Sequence, residues 1–172
     1  PKKDPLALAA ALLGITEIEP PPTEPANYNV GDSRVFWIQN SDTREWQEVE
    51  LTLEAITDHA YLWFDMSRIT KDAEEVVANA AAGFEAAYVQ DVAVFGDPPI
   101  PGIDGDPRLY ILHISALTIC NVDEASSHQC GIAGYWASHN SLPTEIEEYS
   151  NEVELFVINA DIGGIGGHNY QT

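Results

Sequence analysis

Five histidines are the first residues to weigh for chemistry: His59, His113, His128, His139 and His168. No two stand at i, i+4, and no HExxH occurs, the pattern that sets two imidazoles and a glutamate on one helix face around zinc. His113 lies inside an apolar run, where a hydrogen-bonded core histidine is the simpler expectation. His128 and His139 lie in a cysteine-bearing stretch, and a zinc site joining them to distant carboxylates would carry no spacing signature. Asp104 and Asp106 flank Gly105, with Asp97 upstream. Short-spaced carboxylates on a glycine-containing loop can chelate calcium through hard oxygens. The full calcium-loop pattern is absent, so a plain Asp-Gly turn competes with that reading.

Other catalytic patterns fail. The GGIGG stretch at 163–167 lacks a following Lys-Ser/Thr and does not fit GxGxxG. No serine sits in GxSxG, and Cys120 has no nucleophile motif around it. Cys120 and Cys130 stand ten positions apart. A disulfide closing a small loop is expected of an exported protein. Two thiols serving as metal ligands or redox groups are the alternative, which the non-CxxC spacing weakens.

Charge narrows the partners. Lys plus Arg total 7 against 28 Asp plus Glu, a formal charge of -21. Such an excess argues against nucleic acid, whose phosphates need cations, and against anionic lipid. Residues 109–172 contain no Lys or Arg at all. That half must be solvated, bind metal or meet positive charge from elsewhere. No run of 18 apolar residues exists, so no membrane span is expected. The apolar stretch 6–13 follows Lys2 and Lys3 like a signal-peptide core, but it is too short for a span. The chain opens on Pro1, as if a leader had been removed, and a secreted or cell-surface location is expected.

The elements that must position these residues follow from periodicity. Residues 6–13 suit a short helix capped by Asp4 and ended by Gly14. Four prolines make 17–26 an extended linker. Runs 34–39, 45–53 and 60–65 read as strands joined by polar turns, an antiparallel meander. The period then changes, and 67–90 reads as a helix with Val76, Val77, Ala80, Phe84, Ala87 and Tyr88 on one stripe. Residues 109–117 form a continuous apolar run expected of a buried strand, and 154–159 another strand. The fold class is α+β: an arm and linker over 1–26, an antiparallel β module over 27–66, and a mixed α/β lobe over 67–172.

The order GDSRVFWIQN, AYLWFD, an Ala-rich helix, FGDPPIPGIDGDPRLYILHISAL, AGYWASHN and NEVELFVINAD resembles a family. It is similar to the N-terminal half of secreted bacterial zinc metallopeptidases of the hyicolysin-like, gluzincin type, from about Val30 to Asp161. The resemblance implies a central strand at 109–117. It also implies that Glu154, Leu155, Phe156, Val157, Ile158 and Asn159 form an edge strand able to pair with an extended peptide. In the family a helix bearing HExxH follows, with two zinc-binding histidines and a glutamate acting as general base. Residues 163–172 contain no such motif, so no zinc ligand transfers to this sequence. Zinc and peptide hydrolysis are expected only with a segment beyond residue 172. The partner is then the C-terminal half of the same protein, covering an apolar face around residues 155–158. The alternative is a catalytically inactive extracellular assembly subunit that pairs with copies of itself, stabilised by the disulfide and by calcium.

Overall fold

The computed structural model describes residues 5–20, 22–69, 72–98 and 101–162. The expected Asp4 cap, the GGIGG stretch and His168 lie outside the described residues.

A short helix, α1 (Pro5–Leu13), precedes the extended proline-rich segment. Three antiparallel strands follow: β1 (Ser33–Gln39), β2 (Trp46–Ile56) and β3 (Ala60–Phe64). Alternation sets their faces, so Phe36, Ile38, Leu51 and Leu53 all point to one core. The long helix α2 (Ala73–Phe95) leads from β3 to β4 (Leu109–Ile114), and these two strands pair in parallel. A parallel pair needs such a crossover, because a tight turn cannot join strands running the same way. A one-turn helix, α3 (Ala116–Ile119), the short strand β5 (Gly134–Trp136) and β6 (Leu155–Asn159) complete the chain.

All six strands form one sheet in the order β1-β2-β3-β4-β6-β5. The class is α+β, as the change of period implies. The strands over 27–66 are continuous with those of 67–172 through the β3–β4 pair. Every residue of β3 is buried, and so are all but Leu109 in β4, which explains their unbroken apolar sequences. One face packs Phe36, Trp63, Tyr110, Leu112, Leu155 and Val157 beneath α3 and the disulfide loop. The other packs Leu62, Phe64 and Ile111 against Ala80 and Phe84 of α2, two residues of the expected stripe.

Two element expectations need correction. The apolar run at 109–117 does not stay extended: Ser115 accepts a hydrogen bond from the Leu117 amide and starts α3. The second concerns Glu154, Leu155, Phe156, Val157, Ile158 and Asn159. The strand they supply is not the edge, because β5 pairs outside it, Tyr135 opposite Val157 and Trp136 opposite Phe156. The chain gains this strand by bringing the loop after the disulfide back alongside β6. Leu155 and Val157 are fully buried, so the uncovered part of this strand is confined to the α2-side face, where Phe156 stays 39% exposed.

Candidate functional site

The Asp-Gly turn lies at the end of the sheet where β4 begins. Gly105 has φ of +74°, a conformation that suits glycine, and its amide donates to the Gly102 carbonyl. Asp104 accepts from the Asp106 amide and, at 2.8 Å, from the Tyr110 hydroxyl. Asp106 is 1% exposed and accepts from the Tyr61 hydroxyl at 2.7 Å and from the Arg108 amide. Glu154 accepts from the Ile103 amide. These carboxylates thus hold a turn and two buried tyrosines. Desolvation, followed by the bond to Asp106, pushes the Tyr61 hydroxyl up to about 12. Burial likewise raises Asp104 and Glu154 above the usual carboxylate range, and neighbouring charge adds to it: Asp106 raises Asp104, and Asp104 raises Glu154.

Above this turn lies a cleft of about 910 Å³, walled by the proline-rich segment and floored by Tyr28, Arg34, Asp104, Tyr110 and Glu154. Arg34 donates to the Tyr28 hydroxyl and the Asn151 carbonyl, and its guanidinium lies over the Phe36 and Tyr110 rings. The polar groups on the floor are therefore bonded to one another and to nearby backbone groups. Asp97 lies just beyond the end of α2. The structure brings Asp104 and Asp106 into one turn. Among the described residues no group of three or more His, Cys, Asp or Glu side chains is arranged to hold a metal ion.

The histidines are dispersed. His59 Nδ1 lies 2.7 Å from Glu85 and its ring stacks on Tyr88. His113 is buried in β4 against Phe64. His139 meets the Trp46 ring edge-on, and His128 lies in a 3-10 turn.

At the opposite end of the sheet lies a charged node that sequence reasoning missed. Arg68, just after β3, donates through Nε and Nη2 to one oxygen of Asp161, just after β6. The other Asp161 oxygen accepts from the Ser115 hydroxyl and the Ala116 amide. One carboxylate therefore ties together the exits of β3, β4 and β6. Arg68 also reaches the exposed Glu124. The bonds to Glu124 and then Asp161 raise the guanidinium pKa further. No short-range pattern marks a pair 93 positions apart.

The sheet has two edge strands, β1 and β5, and the outer side of β5 has no strand partner among the described residues. Next to it, on the α2 side, lies exposed apolar surface: Trp136 is 52% and Phe156 39% exposed, and Ile158 is half-buried where it packs against the α2-side cluster. Cys120 and Cys130 form the expected disulfide, buried on the opposite side of the sheet. Among the described residues no helix is long and apolar enough to cross a membrane. No protein-family model matches the chain, and no curated protein matches it.

Proposed function

We propose that this chain is the N-terminal, itself non-catalytic portion of an exported zinc-metallopeptidase-like protein. The observation that supports it most is the apolar surface exposed beside α2. α2 packs on β3 and β4, with Ile158 at the margin of that cluster, while Phe156 and Trp136 form an exposed apolar strip. A second helix following β6 would bury that strip, and the family resemblance puts the HExxH helix at that point in the order. Apolar burial of about 25 cal/mol per Å² favours such a closure. Peptide-bond hydrolysis belongs to that helix, and no step of it is assigned to the residues described. What this portion supplies is a scaffold and, at β5, an edge to which an extended peptide can add as a further strand.

Export is supported by the disulfide and by the acidic composition. Calcium held by the loop carrying Asp97, Asp104 and Asp106 belongs to the same proposal. Three carboxylates on one glycine-containing stretch support it, and a calorimetric titration without heat removes it. The function is tested on native material containing this chain, by zinc analysis and by hydrolysis of an unfolded protein substrate. One zinc per chain and activity abolished by a chelator are expected. A zinc-free, inactive preparation that associates with increasing concentration overturns the reading in favour of an assembly subunit.

A further inference from the structure

The edge strand β5 is short. β5 has three residues, and its only strand partner among the described residues is β6. Apart from Tyr135, which packs on the core, such a strand has little hold of its own. Three neighbouring features keep it in place. Gly134 lets the backbones approach: a Cβ there would lie 2.7 Å from the Val157 carbonyl oxygen. Asn159, fully buried, donates through its side chain to the Ile132 carbonyl and through its amide to the Ala133 carbonyl. Cys130, four positions before β5, is bonded to Cys120, which ends α3 inside the core.

Between the two cysteines there is only a 3-10 turn over Glu124–Gln129, whose residues are all at least partly exposed. Residues 131–133 have no helix or strand of their own. The disulfide is thus the covalent anchor closest to the edge strand. β1 to β4, in contrast, pair over longer ladders that do not involve the loop.

We propose that the Cys120–Cys130 disulfide is a clasp for β5: opening it detaches β5 and makes β6 the edge on that side of the sheet. Reduction by an added dithiol transfers two electrons and two protons, converts the S–S bond into two thiols and leaves the dithiol oxidised. The peptide-accepting edge then changes from Gly134–Trp136 to Leu155–Asn159. This consequence for peptide pairing rests on the function proposed above. The clasp itself does not.

The test is hydrogen exchange of the full chain, oxidised and dithiol-reduced, with thiols trapped to confirm reduction and with no peptide or metal present. The expected result is exchange faster by roughly 30-fold or more in peptides covering 131–137, from the loop entropy a ten-residue bridge removes. Exchange in 154–159 also rises, while 60–64 and 109–114 keep their protection. The Cys120→Ala/Cys130→Ala double variant gives the same pattern without a reductant. Unchanged protection of 131–137 in fully reduced protein overturns the proposal. So does simultaneous loss of protection across 60–64 and 109–114, which makes the disulfide a support of the whole core. Because no peptide is present, the exchange pattern does not depend on whether the edge binds one.

Discussion

Acidification probes the burial of the central strand. His113 is fully buried in β4, flat against the Phe64 ring at 4.2 Å. Burial holds its imidazole down to about 4, and a backbone hydrogen bond with Trp63 only partly opposes this. The unfolded chain binds the proton near the ordinary histidine value of about 6.5. A group with a depressed folded value lends stability above the unfolded value and loses it as pH falls towards the folded one. Below pH 6.5 the unfolded state therefore gains protons that the folded state refuses. From pH 7 to pH 5 the linkage amounts to about 2 kcal/mol of lost stability. The His113→Leu variant lacks this dependence, and comparing the two cancels every other titrating group. Urea unfolding at pH 7, 6 and 5 should show the wild type losing about 2 kcal/mol more than the variant over the range. Parallel losses in the two proteins, or a His113 NMR titration near pH 6.5, would refute the reasoning.

Three further predictions concern single contacts. Asp161→Asn removes the charge that receives Arg68, so urea unfolding should show a loss of about 2–3 kcal/mol; an unchanged midpoint would mean that the node is incidental. Gly134→Val drives a side chain into the Val157 carbonyl, and exchange at 134–136 should accelerate while β3 stays protected; uniform protection would contradict the close approach. Tyr61→Phe takes a donor from the buried Asp106 and should cost about 1–2 kcal/mol, measured by thermal or urea unfolding; a neutral or stabilising result would show that the carboxylate finds another partner.

Much of the sheet was legible in the sequence because its strands carry local signals. β1, β2 and β3 alternate or run apolar between polar turns, and β6 is bounded by acidic and turn residues. The disulfide was legible from spacing and composition. What failed was non-local. β5 has three residues, one of them glycine, and no period can be read from so short a run. The resemblance made β6 an edge, and the pairing with β5 shows otherwise. The end of β4 was hidden because Ala116, Leu117 and Ile119 continue its apolar run, and only the Ser115 cap marks the turn. The aspartates at 104 and 106 suggested chelators because their tyrosine partners are set by the fold: Tyr61 lies 45 positions from Asp106. The Arg68–Asp161 node needed the parallel order of β3, β4 and β6 before it could be seen at all.

The most direct measurement of the central claim is the intact mass of the native protein, with peptide coverage. The expected result is a species heavier than 18.8 kDa, or a tightly associated second chain, that carries HExxH beyond the residues described. A mass of 18.8 kDa with no associated chain would contradict the claim, and the apolar strip at Trp136 and Phe156 would then need another partner.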